Sequence, residues 1–315
     1  YTGRNWSGPV QEIILYASDQ SGVRPSIEEN IGGYYDIPLP GLLDENPGAA
    51  AAYSLRRLSS TYTGSAVRVQ RADNVGGTTD IGFDGYGDLD TAALTTAAAG
   101  NSMVVVTWFD QSGSGNNATQ GTSTARPKIY DATTGVIVDA NGKPAVQFDG
   151  TNDILGGSSI TSTDDLSMML VNTWTGGQQF NFLFGQGRGF PGGTETNTDF
   201  YMGIINGNPD TVVFGVKTTN ATPNSAGTSY TSSNIQNAQT LHTGYYKRNA
   251  NMYFYRNGSL QDSSTTFDGA IQNNHTLQIG SSFEPQGLFQ EAILYPSDQT
   301  DNRPSIEENI GGYYD

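Results

Sequence analysis

Hydrophobic and polar residues alternate over many short stretches of this chain. Residues 66–71 alternate strictly, and the run from Met103 to Trp108 is almost wholly apolar. A period of two predicts half-buried strands, and a short apolar run between turn residues predicts a buried strand. The same patterns predict further strands near residues 79–83, 143–149, 166–174, 179–184, 199–205, 211–217, 240–248, 251–256, 275–280 and 288–295. Many short strands at close spacing predict an all-β fold, an antiparallel β-sandwich of the jelly-roll kind.

Turn and helix signals complete this pattern. Alternating aromatic residues lead into Asn257-Gly258, a pair that adopts the positive φ of a tight hairpin turn. Short helices are predicted at 49–58, where alanine is frequent, and at 90–99, with Asp90 as the N-cap. We expect these few short helices to lie at the periphery of the sandwich.

One segment of the chain occurs twice. Residues 11–36 return as residues 290–315, and five of the 26 aligned positions differ. Each copy has the pattern of a strand, a turn and a short helix. In the second copy Ile306 and Ile310 fall on one helical face, together with Tyr313 or Tyr314. A lone strand needs a sheet and an amphipathic helix needs a surface, so we expect that neither copy folds alone.

The repeat predicts the domain organisation. The second copy closes a lectin-like sandwich over residues 37–315, and residues 1–36 are the closing strand and helix of a preceding repeat. We expect this leading segment to dock on a neighbouring unit in the manner of strand addition. The residues predicted to dock are the apolar ones of its strand and helix face: Ile13, Ile14, Leu15, Tyr16, Ile27, Ile31 and Tyr34.

Charge and composition narrow the range of partners. The net charge is −16, with 31 acidic and 15 basic residues and no cluster of Lys or Arg. Nucleic acids and anionic membranes attract cationic protein surface, so neither is an expected partner. Cysteine is absent, which excludes disulfides, thiolate metal sites and cysteine nucleophiles. No apolar run reaches the roughly 18 residues of a membrane-spanning helix.

A polar loop follows the buried strand at residues 102–109. Asp110, Asn116 and Asn117 lie in this loop, and Trp108 stands near the end of the strand before it. Carboxylate and amide oxygens suit Ca²⁺ and a flat ring suits a sugar, so these four residues are candidates for a calcium or carbohydrate site. The alternative is a turn in which Asp110 and Asn116 bond to backbone N–H groups. Ca²⁺ at this loop is the one cofactor considered, and none is otherwise predicted.

The C-terminal part of the chain resembles a known fold family. Residues 251–315 are similar to the end of a concanavalin A-like or laminin-G-like lectin sandwich. The resemblance rests on the aromatic strand with its Asn-Gly turn, on Leu277 to Gly280, on the strand from Leu288 to Tyr295 and on a final helix. It implies the sandwich fold, but it does not imply a ligand, because this fold serves lectins, glycosidases and spacers alike.

The region from Ala49 to Gln120 resembles the catalytic domain of the α-L-arabinofuranosidase B family, glycoside hydrolase family 54. Tandem-repeat surface proteins of phages and environmental bacteria show a similar combination. The residues that carry the resemblance are Ala51-Ala52-Tyr53-Ser54-Leu55-Arg56, Val67-Arg68-Val69-Gln70-Arg71 and Trp108-Phe109-Asp110-Gln111-Ser112-Gly113-Ser114-Gly115-Asn116-Asn117.

The resemblance also implies where the catalytic groups of that family would lie. It places an Asp as general acid/base just after Ile279-Gly280, where this chain has Ser282, with Glu284 two residues further on. It places a Glu nucleophile in a central strand, whereas residues 201–205 and 211–217 contain no Glu. A hydroxyl group does not act as a general acid near neutral pH. These departures predict that the glycosidase activity is absent.

The sequence therefore predicts a non-enzymatic repeat module of an extracellular fibre, adhesin or viral appendage. Its expected partners are neighbouring copies of the same protein or repeat, joined through the strand-helix segment, and surface glycans. Its expected location is extracellular, at a cell or virion surface. Two alternatives stay open: a divergent glycoside hydrolase of the arabinofuranosidase type, which a cleft with two carboxylates would favour, and a dedicated lectin.

Overall fold

The computed structural model divides the chain into two compact units, Tyr1–Leu39 and Pro40–Asp315, and each is described by itself. In the first unit an extended stretch precedes helix α1 (Arg24–Tyr35). Among the described residues no helix is long and apolar enough to cross a membrane. The structure describes residues 8–20, 24–35, 41–162, 164–177, 179–187, 198–207, 209–219, 225–265, 269–280 and 285–314.

The second unit consists mainly of strands. Its helices are α2 (Leu42–Glu45), α3 (Thr91–Ala98) and α4 (Arg303–Tyr314). Its strands are β1 (Ala51–Ser54), β2 (Val67–Arg71), β3 (Thr79–Ile81), β4 (Met103–Trp108), β5 (Ala118–Thr119), β6 (Lys128–Asp131), β7 (Gly135–Val136), β8 (Val146–Asp149), β9 (Leu155–Gly156), β10 (Leu166–Gly177), β11 (Phe180–Gly187), β12 (Thr198–Ile205), β13 (Asp210–Lys217), β14 (Ser225–Ser232), β15 (Gln239–Tyr246), β16 (Asn251–Arg256), β17 (Ser259–Thr265), β18 (Leu277–Ile279) and β19 (Pro285–Tyr295).

The strands form two layers, and every pairing among the described strands is antiparallel. One layer follows the order β17-β16-β15-β10-β19-β1. The other follows the order β14-β13-β12-β11-β18-β9-β5-β4-β2-β3. The predicted all-β, antiparallel sandwich with a few short helices is therefore confirmed.

Alternation along β10 explains how the layers pack. Met168 and Leu170 point into the main core between the two layers, whereas Met169 and Val171 point to the opposite face. Successive side chains of a strand face opposite sides, so an apolar run such as this one is buried on both. The opposite face needs a cover, and α4 supplies it through side chains that are at most 5% exposed: Ile306, Ile310 and Tyr314.

A buried ion pair fastens α4 and β19 to the start of the domain. The Arg56 guanidinium donates to the Glu291 carboxylate from Nε at 2.8 Å and from Nη2 at 3.1 Å. Its Nη1 donates to Asn309 Oδ1 on α4 at 2.9 Å. Burial alone would lower the pKa of Arg56, but attraction to Glu291 raises it overall. Arg56 therefore stays charged, and its hydrogen bonds link the start of the domain to β19 and α4 at its end.

The predicted helix at 49–58 is wrong. Residues 51–54 form strand β1, in which Ala51 pairs with Leu294 and Ser54 pairs with Glu291. Alanine favours a helix only by tenths of a kcal/mol per residue, roughly, whereas pairing beside β19 buries the whole stretch. Tertiary contacts therefore override the local preference.

Other local predictions are confirmed. Asn257 and Gly258 have φ values of 46° and 73° and join β16 to β17. Asp90 caps α3, because its Oδ1 accepts the Ala93 N–H at 2.8 Å. The predicted C-terminal strand and helix are found as β19 and α4. Short-range signals were reliable wherever turn chemistry or capping decided the conformation.

Candidate functional site

The end of β18 is where the family resemblance implies an acid/base residue. Residues 281–284, with the predicted positions Ser282 and Glu284, lie outside the described residues. Gly280 just before them has a φ of 69° and donates its N–H to β11 at 2.9 Å. A Cβ atom here would lie 2.8 Å from the Asp153 carbonyl oxygen. Glycine thus allows a second loop to approach the end of β18 closely.

That second loop, residues 149–153, carries two carboxyl groups. The Oδ1 of Asp149, the last residue of β8, accepts the Thr151 N–H at 2.8 Å. The Asp149 N–H donates to Asp153 Oδ2 at 2.9 Å, so the turn places the two residues side by side. Asp149 is exposed and Asp153 is 6% exposed. One carboxyl group therefore faces water while the other is nearly enclosed.

The enclosed carboxyl group holds its proton unusually well. The pKa of Asp153 is raised to about 7, first because burial disfavours the charged form and further because the negative charge of Asp149 is close. The Asp149 N–H and the Lys128 ammonium oppose this rise without cancelling it. A protonated carboxyl near neutral pH, beside a second carboxyl group that faces water, is the combination that general acid catalysis of glycoside cleavage needs.

A different buried carboxylate shapes the entry to β18. Asp199 Oδ2 accepts hydrogen bonds from the Gln186 amide at 3.0 Å and from the backbone N–H groups of Asn274 and His275 at 2.8 and 2.9 Å. Its Oδ1 lies 3.1 Å from His275 Nδ1. Since these partners all belong to the sheet or to the chain entering it, Asp199 anchors β18 in position.

The second histidine of the chain is part of the core. His242 is 2% exposed, and its Nδ1 lies 3.2 Å from the Tyr230 hydroxyl oxygen. Burial lowers the pKa of His242 to about 3, and the positive charge of Arg256 acts in the same direction. The ring is therefore neutral at ordinary pH and packs with its aromatic neighbours.

Packed rings fill the central strands. Phe200, Phe214 and Val216 are at most 1% exposed and belong to the main core. On the other face of β12 the Tyr201 ring stacks with Phe182, with centroids 6.3 Å apart. These strands, in which the resemblance implies a Glu nucleophile, hold apolar side chains at these positions instead. The carboxyl pair of the 149–153 loop is therefore the candidate site.

The structure brings three of the four predicted calcium or sugar ligands together, because Asn116 and Asn117 both bond to Asp110. Asp110 Oδ1 accepts the N–H groups of Ala52 and Ser112, each at 2.9 Å. Its Oδ2 accepts the Ser112 hydroxyl at 2.8 Å and the Asn116 N–H at 2.9 Å. Four protein donors thus surround this carboxylate, as in the turn that was the alternative interpretation.

The other three predicted ligands also have contacts within the protein. Asn117 Oδ1 accepts the Asp110 N–H at 2.9 Å, and Asn116 Nδ2 donates to the Ala50 carbonyl at 2.7 Å. The Trp108 ring is fully buried. Within the described part of the chain no group of three or more His, Cys, Asp or Glu residues is placed to hold a metal ion. Calcium or sugar binding by this loop stays a prediction.

The predicted docking residues belong to the first unit. The predicted strand is not found among its described residues 8–20; the residues predicted to form it are exposed, and so is the tyrosine near the end of α1, whereas two isoleucines of α1 are half-buried. The exposed ones are Ile13 (84%), Ile14 (47%), Leu15 (93%), Tyr16 (47%) and Tyr34 (80%), and the half-buried ones are Ile27 and Ile31.

Sequence reasoning missed Asp149 and Asp153. The usable signal was the order Asp-Gly-x-x-Asp directly after the predicted strand at 143–149. Such a turn folds back so that the second carboxyl group meets the backbone of the first. Burial of Asp153 against Gly280, however, depends on a contact between residues that are distant in the sequence.

Comparisons with known proteins point to one enzyme family. A family model described as "Alpha-L-arabinofuranosidase B, catalytic" matches residues 43–152. The α-L-arabinofuranosidase B of Aspergillus kawachii is 25% identical, over 84% of this chain and 60% of that protein. The probable α-L-arabinofuranosidase B of Aspergillus terreus is 27% identical, over 84% and 59%. The chain thus spans about 60% of the length of the curated relatives it matches.

Solved structures show the same fold. A GH54 α-L-arabinofuranosidase soaked with a cyclic sulfate inhibitor matches with a TM-score of 0.58 at 19% identity, over 84% of this chain and 63% of that one. An arabinofuranosidase complexed with arabinofuranosyl-α-1,2-xylobiose matches with a TM-score of 0.57 at 20% identity, over the same shares. At such identities the likeness shows the fold alone.

These comparisons contradict the prediction of a non-enzymatic fibre, adhesin or viral appendage. They favour the hydrolase that the sequence left as an alternative. The prediction weighed the Ser at 282 and the missing Glu of the central strands, and overlooked the carboxyl pair of the 149–153 loop. An extracellular location agrees with the relatives, but nothing in them supports a cell or virion surface or a phage tandem repeat.

Proposed function

We propose that the second unit is a glycoside hydrolase of the arabinofuranosidase type. The observation that carries this proposal is the carboxyl pair of Asp149 and Asp153, in a loop whose Asp153 backbone carbonyl lies beside Gly280 at the end of β18, where the resemblance implies an acid/base residue. The family match over residues 43–152 supports it from the sequence side. Extracellular action on plant-type polysaccharides is the setting that we propose.

The proposed substrate is an arabinofuranosyl group on a neutral polysaccharide. One relative was solved with arabinofuranosyl-α-1,2-xylobiose bound, which suggests arabinose side chains on a xylose backbone. The net charge of −16 would repel acidic polysaccharides but does not oppose a neutral one. Neutral glycans are thus the proposed partners, and the reaction as written uses no cofactor.

Each carboxyl group has a distinct role in the proposed reaction. Asp153 gives its proton to the glycosidic oxygen while the Asp149 carboxylate attacks the anomeric carbon and the bond to the leaving group breaks. Water then attacks the same carbon of the glycosyl ester, returns a proton to Asp153 and frees Asp149. The Asp149 N–H donates to Asp153 Oδ2, so the two residues are neighbours, and we expect retention, for which the two carboxyl groups must lie about 5 Å apart.

The test is hydrolysis of 4-nitrophenyl α-L-arabinofuranoside by the full chain. We expect Asp153→Asn and Asp149→Asn each to lower kcat by about 100-fold or more. Asp131→Asn is the matched control, since Asp131 contacts the same Lys128 from β6 and should keep activity. Circular dichroism confirms that each variant is folded, and proton NMR of the released arabinose should show the retained anomer.

Two results would overturn the proposal. If the wild-type chain binds arabinoxylan oligosaccharides without cleaving them, the domain is a lectin and not a hydrolase. If Asp153→Asn and Asp149→Asn cleave the substrate as fast as the wild-type chain, the reaction does not use this carboxyl pair.

A further inference from the structure

Two copies of one sequence have opposite surroundings in this chain. We call residues 11–35 the N-terminal segment and residues 290–314 the closing segment. In the closing segment Ile293, Leu294 and Tyr295 are completely buried. Their counterparts in the N-terminal segment, Ile14 to Tyr16, are 47–93% exposed. Three consecutive apolar side chains at the surface, which are buried in the other copy, mark a place where another protein surface is missing.

The N-terminal segment shares two internal contacts with the closing segment. The Tyr314 hydroxyl donates to the Gln290 carbonyl at 3.3 Å, and the Tyr35 hydroxyl donates to the Gln11 carbonyl at the same distance. The adjacent tyrosine rings at the end of each helix meet edge to face, with centroids 4.7 and 4.8 Å apart. The segment thus holds its extended part against its helix as the docked copy does, which lowers the entropic cost of docking.

One charged residue indicates what the partner must supply. Glu291 is 1% exposed and accepts hydrogen bonds from Arg56 and Ser54. Its counterpart Glu12 is exposed. A carboxylate at this position of the strand becomes buried when the strand enters a sheet, and burial without a cationic partner is strongly unfavourable. The partner therefore needs an arginine at the position that Arg56 occupies here.

One substitution shows how the partner differs from this domain. Ile13 stands where the closing segment has Ala292, which is 1% exposed in the main core. Ala292 pairs with Tyr53 on one side and with Leu170 on the other. Three additional carbon atoms would crowd this core. The N-terminal segment thus fits a related sandwich that has more room at this point.

We propose that the N-terminal segment is the last strand and helix of a second sandwich of the same type. It would lie between the counterparts of β1 and β10 in that domain, with Glu12 paired to an arginine equivalent to Arg56. The docking surface consists of Ile14, Leu15 and Tyr16 on the strand and the isoleucine face of α1. This inference concerns assembly and does not depend on the proposed hydrolase activity.

The experiment supplies such a partner. A second copy of residues 37–289 is joined in front of residues 11–315, so that the N-terminal segment follows it as the closing segment would. We expect two folded domains, with about twice the calorimetric unfolding enthalpy of the original chain. The added domain should melt several degrees lower, because Ile13 is crowded, and Ile13→Ala should remove most of this difference.

A charge substitution tests the docking geometry. In the extended chain Glu12→Gln should lower the melting temperature of the added domain by about 10 °C, and Glu291→Gln should do the same to the original domain. In the original chain Glu12→Gln should leave the melting temperature unchanged. The proposal is overturned if the added copy stays unfolded and protease-sensitive even with Ile13→Ala, or if Glu12→Gln leaves both transitions unchanged.

Discussion

Helices α1 (Arg24–Tyr35) and α4 (Arg303–Tyr314) have one sequence and two environments. In α4 the helix face with Ile306 and Ile310 is buried against β10 and β15. In α1 the corresponding residues, Ile27 and Ile31, are only half-buried. Identical local preferences therefore end in different degrees of burial, and the difference comes from the sheet that surrounds one copy. Helical propensity explains why both form helices, and packing explains why one of them stabilises a domain.

The two copies should differ most in how much stability is lost when their glutamate charge is removed. Glu291→Gln should lower the free energy of unfolding of the second unit by about 3–5 kcal/mol, because it leaves the Arg56 charge buried without a partner. Glu12→Gln should leave this value unchanged, since Glu12 is exposed. Urea denaturation of both variants measures the two effects. Equal losses in the two variants would contradict the comparison.

Truncation of an apolar side chain should give the next-largest difference in stability between the two helices. Ile310→Ala removes a side chain that is 1% exposed beneath α4 and should destabilise the second unit by about 2–5 kcal/mol. The matched change Ile31→Ala, in a half-buried position of α1, should leave the urea midpoint of the second unit where it is. If Ile31→Ala shifted that midpoint by a similar amount, the two helices would not differ as described.

A pH titration extends the comparison to the 149–153 loop, whose first residue pairs with β19. The pKa of Asp153 is raised to about 7 in the folded state, above its unfolded value, so its contribution is complete below about pH 4 and is lost as the pH rises through 7. The free energy of unfolding should fall by on the order of 3 kcal/mol over this pH range. Asp153→Asn should flatten this dependence. Glu12→Gln, which changes an exposed carboxylate of the N-terminal segment, should leave the pH dependence as it is in the wild-type chain.

The proposed catalysis should depend on the same protonation of Asp153. Hydrolysis should decline above about pH 7 as Asp153 loses the proton that it donates. A rate that stays constant up to pH 9 would mean that another group is the acid.

The smallest expected effect concerns the position at which the copies differ in size. Ala292→Ile should cost about 1–3 kcal/mol of stability, because the added atoms meet Tyr53 and Leu170 in a filled core. The reverse change, Ile13→Ala, should leave the stability of the second unit unaltered. Thermal melts of both variants test this pair. A harmless Ala292→Ile would show that this core has space for isoleucine, so that Ile13 would not require a partner with more room.

Much of the fold followed from local patterns in the sequence. The alternation at 66–71 and the aromatic run at 251–256 predicted β2 and β16 within a residue. Strand β14 was missed because it consists largely of Ser, Thr and Gly and carries no apolar alternation. The Ala-rich stretch at 49–58 was assigned to a helix, because a single sequence does not show that β19 lies ready to pair with it.

The candidate site was less accessible to sequence reasoning. The family resemblance points to Ser282, and the amides and glycines around Asp110 point to that loop. Asp149 and Asp153 look like an ordinary turn in the sequence. Asp153 becomes buried only in the folded domain, where its backbone carbonyl lies beside Gly280, more than a hundred residues further along the chain. Long-range burial, not a motif, creates this site.

The place of β19 in the sheet has a consequence for biosynthesis. This strand lies between β1 and β10, so nearly the whole domain is translated before Ala51 meets Leu294. Contacts between residues so distant in the chain make folding slow and leave a nascent chain with an open gap in its sheet. The N-terminal segment is translated before this domain and has almost the same sequence as β19 and α4, so a near copy of the missing strand already exists while the gap in the sheet is open.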